Sequence, residues 1–345
     1  MEFTKRRLSS AQMGYFITHL NILGQDRVIA APEANGPTMV FAAPDYTPHI
    51  LAEGPGGCMG FAAVPGRDDA LLMITEFYPI FKSEKAGINL FWAVDGLNEP
   101  WRHKRILDLP FVHRICMVGN GTDHYLVAAA VCGGKDFQDD WSRPGITSAA
   151  KVPDDLEGPW ELVPVMEGLH RNHGMQVGSF AGQRCVFIAG DEGLFALKVP
   201  TPGSTVWENT LIIEKPISEV YPADLDQDGE DELVVIEPFH GKAMSVYKNI
   251  KGTWTQIFTA GLAFGHGLWA GELGGENVVI AGNRANDKNL VCYQVTSASP
   301  FVMKEFVIDA GSGTTNMDVI RTSDGKALVT SNPGHEEYAM YIPKQ

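Results

Sequence analysis

A strand, a short hydrophilic turn and a second, almost wholly apolar strand recur seven times along the 345 residues, and nothing else constrains the fold as tightly. The unit is plainest at Asp224–Ile236, where an acidic turn runs into Leu233, Val234, Val235 and Ile236. Its counterparts are Thr18–Ile29, Ala63–Leu72, Val118–Val127, Gly178–Phe187, Gly271–Val279 and Arg321–Val329. They stand roughly 45 to 60 residues apart, the length of one four-stranded unit that must pack against its neighbours to bury its apolar strand. Third strands follow at Met39–Ala42, Leu90–Ala93, Leu194–Leu197, Met244–Tyr247 and Leu290–Tyr293, and fourth strands at Trp254–Phe258 and Val302–Phe306.

This pattern predicts an all-β chain, a seven-bladed β-propeller that occupies residues 1–345 as a single domain. A β-sandwich would not need seven units in register. The last unit ends at Tyr338–Ile342 without a fourth strand, whereas the chain opens with the strand-like Glu2–Ser9. The N-terminal strand is therefore expected to complete the seventh blade, which closes the ring and protects an exposed edge.

Composition agrees with this reading and narrows the partners. With 37 Gly and 21 Pro, the chain suits many turns and no long helix. No stretch is apolar enough to span a membrane, and the basic residues near the start have no apolar segment behind them, so a cytoplasmic protein without a membrane partner is expected. The five cysteines show no CxxC spacing and read as reduced thiols. A net charge of −15 and the lack of a basic stripe argue against nucleic acid, while a homo-oligomer is compatible with the composition. The longest irregular stretch, Cys132–Pro159, reads as one long loop.

Blade topology sorts the histidines. In an up-and-down blade the start of the first strand and the turn between the second and third strands share one face. His113, His173 and His266 each sit just before an innermost strand, with His170 one turn earlier, and His240 and His335 lie in second-to-third-strand turns. Tyr221 and Asn316 are expected at the matching first-strand positions, and Glu33, Glu76, Tyr78, Lys135, Glu237 and Arg284 in turns at the same mouth. Imidazoles and carboxylates converging on a concave mouth suit a divalent metal or acid/base chemistry, because neutral imidazole is a ligand and a base near neutral pH.

His173, His240 and His266 would hold the ion, zinc, manganese or magnesium, with Glu237 as the candidate fourth ligand. Tyr221, His113, His335, Glu237 and Arg284 are the candidate catalytic groups. Lys135, Trp141, Glu76, Tyr78 and Asn316 are the candidate substrate contacts. A metal-dependent hydrolase would use the same ligands, and a non-catalytic module that binds a glycan or protein is the alternative from another class. Serine-hydrolase, P-loop and dinucleotide-binding signatures are absent.

Asp224, Asp226 and Asp228 alternate, Gly229 follows at the sixth position and Glu232 at the ninth, a spacing that builds an oxygen cage for a hard cation. This turn resembles the FG-GAP or VCBS repeat of integrin-type propellers, with Glu232 where that family has Asp, and the resemblance implies a structural calcium. With the histidine-bearing mouth, the chain resembles the propeller of the aldos-2-ulose dehydratase family and, more weakly, the oligogalacturonate lyases with their histidine-bound manganese. Those resemblances imply a lyase or dehydratase of carbohydrate metabolism, acting on a keto-sugar such as 1,5-anhydrofructose or an aldos-2-ulose.

Overall fold

The computed structural model describes residues 1–79 and 82–344. Among them are twenty-eight strands and no helix. The chain opens with β1 (Phe3–Ser10). The first complete blade follows as β2 (Gly14–Ile22), β3 (Gln25–Pro32), β4 (Thr38–Phe41) and β5 (Pro48–Ala52). The next is β6 (Phe61–Val64), β7 (Arg67–Thr75), β8 (Gly87–Trp92) and β9 (Arg102–Asp108). Then come β10 (Val112–Gly119), β11 (His124–Ala130), β12 (Gly145–Lys151) and β13 (Val163–Leu169). They are followed by β14 (Gly174–Phe180), β15 (Gln183–Gly190), β16 (Gly193–Lys198) and β17 (Glu208–Ile213). The fifth is β18 (Glu219–Ala223), β19 (Glu232–Glu237), β20 (Ala243–Ile250) and β21 (Thr253–Gly261). The sixth is β22 (Gly265–Leu273), β23 (Glu276–Asn283), β24 (Leu290–Ala298) and β25 (Phe301–Asp309). The seventh joins β26 (Asn316–Thr322), β27 (Gly325–Asn332) and β28 (Glu337–Pro343) to β1, in the order β1-β28-β27-β26.

The result is a seven-bladed β-propeller. Its innermost strands β2, β6, β10, β14, β18, β22 and β26 each touch the next, and β26 returns to β2. The apolar runs in the sequence are the second strands of the blades, packed on both faces by neighbouring blades. Val28, Ile29 and Ala30 in β3, Leu72, Met73 and Ile74 in β7, and Val278, Val279 and Ile280 in β23 are fully buried. Outer strands such as β21 are largely exposed between partly buried positions, as one face meets water.

The N-terminal strand closes the ring as expected. β1 pairs antiparallel with β28 from Phe3↔Pro343 to Ser10↔Glu337. Lys5 Nζ adds ion pairs to Asp309 at 2.7 Å and Glu337 at 2.6 Å. Tight turns join the first and second strands. Leu23–Gly24 and Ala181–Gly182 take left-handed φ values of 51° and 73°, and 50° and 73°, the two-residue geometry that matches strand twist. The stretch expected as one long loop is instead interrupted by β12, and only residues 131–144 loop between β11 and β12, carrying Trp141. Among the described residues no helix is long and apolar enough to cross a membrane.

Candidate metal centre

Four innermost strands enter the channel in the same way. Met13, Phe111, Arg171 and Phe264 adopt left-handed φ values of 53°, 60°, 50° and 56°, and two residues later the chain presents Tyr15, His113, His173 and His266. Bulges between Gly14 and Phe16, Val112 and Arg114, and Gly265 and Leu268 break the register at Tyr15, His113 and His266. A bulge of this kind re-aims a side chain. His240 arrives from the turn between β19 and β20, itself at φ 49°. These five side chains meet in a cavity of about 360 Å³, whose wall also includes Glu33, Phe77, Asp139, Trp141, Phe239, Phe264 and Arg284.

Within the cavity His173, His240 and His266 each offer a ring nitrogen, all within 4.8 Å of one another. Their orientation is fixed from behind. His173 Nδ1 lies 3.1 Å from the Ser218 carbonyl and 2.8 Å from Glu219 Oε1, which leaves its Nε2 buried with no partner. His266 Nδ1 donates to the Thr315 carbonyl at 2.7 Å. The His240 ring stacks between Phe239 and Phe264, with centroids 3.8 and 4.6 Å away. Such outer contacts are what set the tautomer and direction of metal-binding imidazoles. Burial, then the Arg284 charge, pushes His266 well below its ordinary value; burial, then the neighbouring His173 and Arg284, takes His240 down to about 2. Both rings are therefore neutral near physiological pH, the form that binds a cation.

A largely buried ion pair supports the floor of the site. Arg114 Nη2 lies 2.7 Å from Glu219 Oε1, and Arg114 Nη1 donates to His113 Nδ1 at 2.9 Å. Burial alone would raise the Glu219 carboxyl, but Arg114 and His173 outweigh it and hold it low. Burial, then Arg114, pushes His113 far down. Tyr15 Oη stands 3.3 Å from both His113 Nε2 and His266 Nε2, and burial pushes its hydroxyl up to about 12. Burial likewise raises Glu33, with Arg284 opposing.

Tyr15, Arg114 and Glu219 escape a search built on histidines and turns. The usable signal was the entry itself, since Met13-Gly14-Tyr15 repeats the spacing of Phe264-Gly265-His266. The same alignment corrects two placements. Ser218 and Thr315, not Tyr221 and Asn316, match His173, because Ser218 N and Thr315 N bond across the blade as His173 N does. Tyr221 lies against Trp269 and lines a second cavity that shares only His266 with the first, and Asn316 Oδ1 accepts the Ile17 amide at 3.1 Å, tying β26 to β2.

Other candidates lie outside the cavity. Glu237 is held by Lys215 at 2.8 Å and Ser245 at 2.6 Å, and it is not a fourth ligand in this arrangement. His335 Nε2 faces Asp309 at 3.4 Å. Glu76 pairs with Arg105, and Tyr78 is exposed and absent from the cavity wall. Lys135 Nζ sits 3.2 Å above the Trp141 ring and donates to the Gln138 carbonyl at 2.9 Å, so it reaches the mouth through Trp141.

The acidic turn between β18 and β19 carries a cation of its own. Lys248 Nζ, from β20, lies 2.7 Å from Asp226 Oδ2, 2.6 Å from Asp228 Oδ2 and 2.7 Å from Glu232 Oε1. Two further oxygens, Asp224 Oδ1 and Asp226 Oδ1, are buried without partners and would suit a cation. Yet three of the four residues expected to bind calcium are engaged by the ammonium, and a divalent ion among them would face a like charge. Asp224, Asp226 and Glu232 offer carboxylate oxygens within 4.8 Å of one another, and Lys248 takes the place of a cation among them. Millimolar calcium or a chelator should therefore leave the melting temperature of the native chain unchanged. Lys248→Met should destabilise it by about 2 kcal/mol, discounted for partial exposure, and should create calcium-dependent stability. Calcium-dependent melting of the native chain in calorimetry would refute the built-in cation.

No protein-family model matches the chain, and no curated protein matches it in sequence. Solved structures match in fold. The β-propeller domain of Cps50 (Swd1) from Myceliophteria thermophila is 10% identical with a TM-score of 0.63, covering 99% of this chain and 100% of that one. A chain of the mitotic checkpoint complex is 11% identical with a TM-score of 0.62, over 99% and 93%. The PQQ-bound aldose sugar dehydrogenase of Streptomyces coelicolor is 12% identical with a TM-score of 0.50, over 99% and 98%. At these identities the likeness is one of fold alone.

Proposed function

We propose that the channel mouth is a divalent-metal site of an enzyme that acts on a small carbohydrate carbonyl compound, a lyase carrying out β-elimination on a keto-sugar. The observation that carries this reading is the buried, unpartnered Nε2 of His173 beside His240 and His266. A buried polar atom without a partner is costly, and a bound ion would satisfy it. Three imidazoles suit zinc or manganese better than magnesium, which prefers oxygen.

When bound, the ion would supply Lewis acidity to a carbonyl oxygen, stabilising charge as an α-proton leaves. Glu33 is the candidate base in the cavity, since a carboxylate whose proton affinity is raised by burial is the stronger base. Arg284, from the same wall, would hold substrate oxygens and restrain Glu33 through its charge. The aromatic wall of Trp141, Phe239 and Phe264 would pack the C–H face of a sugar and exclude water. Elimination then requires a proton donor at the departing hydroxyl, so that it leaves as water. Tyr15 and His113 are the buried groups placed to help, in the role first expected of Tyr221.

The test is to load the protein with zinc or manganese and incubate it with 1,5-anhydrofructose and aldos-2-uloses. A new ultraviolet enone absorption that requires the metal is expected. Metal-loaded protein that converts none of these compounds would refute the lyase reading.

A further inference from the structure

The two ends of the hydrogen-bond chain through Tyr15 decide which way each bond runs. Arg114 can only donate, so its Nη1, 2.9 Å away, makes His113 Nδ1 an acceptor. A neutral His113 then carries its hydrogen on Nε2 and donates it to Tyr15 Oη at 3.3 Å. At the other end the Thr315 carbonyl can only accept, which puts the His266 hydrogen on Nδ1, 2.7 Å away. His266 Nε2 is left with a lone pair, and the Tyr15 hydroxyl donates to it at 3.3 Å.

With Nδ1 engaged by Thr315, Nε2 is the ring nitrogen that His266 has left to offer an ion, and one lone pair cannot serve both a hydroxyl and an ion. We propose that Tyr15 is a substrate-binding residue switched by the metal. Occupation of His266 Nε2 releases the Tyr15 hydroxyl, which turns into the cavity and donates to a hydroxyl or carbonyl oxygen of the substrate. The inference rests on the three-histidine reading of the site. His113 continues to donate to Tyr15 Oη with Arg114 behind it, and a hydroxyl that receives one hydrogen bond gives a stronger one. Without metal the same hydroxyl is engaged and unavailable, so the ion binds first and the oxygenated ligand second.

The decisive variant is Tyr15→Phe, titrated with zinc alone against a competing chelator. In the native protein the ion must displace a hydrogen bond; in the variant there is none to displace. One net hydrogen bond corresponds to about a fivefold change, so Tyr15→Phe should bind zinc about five times more tightly. Weaker zinc binding would make Tyr15 a ligand and overturn the switch, and unchanged affinity would overturn it as well. A native protein that binds no zinc would sink the three-histidine reading, an outcome distinct from the other two. Melting of the metal-free variant checks its fold, and Tyr15→Met, which also lacks the hydroxyl, repeats the titration if the phenylalanine variant does not fold.

Discussion

His173→Ala should strip the protein of its divalent ion and lower turnover by about 100-fold or more, while melting falls by only a few degrees. Loss of an outer partner of a metal ligand already costs about 10- to 100-fold in affinity or activity, and loss of the ligand itself costs at least as much. The fold survives because His173 precedes β14 and packs in the channel, outside the apolar clusters between blades. Glu219 loses one partner but keeps Arg114 at 2.7 Å, so no uncompensated charge is left buried. Elemental analysis, steady-state rates and calorimetry on one preparation check all three parts. Full metal content in the variant would remove His173 from the centre.

Deleting residues 1–10 should have the largest effect on stability. The deletion removes β1, exposes the paired edge of β28, uncovers the buried Leu8 position and breaks the Lys5 pairs to Asp309 and Glu337. A bare strand edge is also a template for aggregation. A melting temperature lower by roughly 10 °C or more, with loss of solubility, is expected. Melting that matches the full chain would mean that β1 contributes nothing to closure.

The difference between these two sites also explains what could be read from the sequence. The blades and the closing strand were legible because an apolar second strand packed on both faces leaves an uninterrupted run, as in Leu71–Ile74, which nothing else in the chain imitates. The sorting of His113, His173, His240 and His266 to one mouth followed from strand direction alone. It failed at Tyr221 and Asn316 because position along a strand must be known to the residue: a shift of one turns a side chain to the opposite face, and Tyr221 lies three beyond Ser218. Tyr15 was hidden because a tyrosine at a strand start reads as core. Arg114 in β10 and Glu219 in β18 come from innermost strands with β14 between them and meet only across the channel. Lys248 was hidden for a similar reason, since local spacing describes a cage but not the cation that a third strand delivers to it.

Metal stoichiometry tests the central claim most directly. Protein exposed to zinc or manganese and dialysed should retain one ion per chain, and His173→Ala, His240→Ala and His266→Ala should each retain almost none while remaining folded. Native protein that retains no ion, or variants that retain as much as the native chain, would contradict the three-histidine centre.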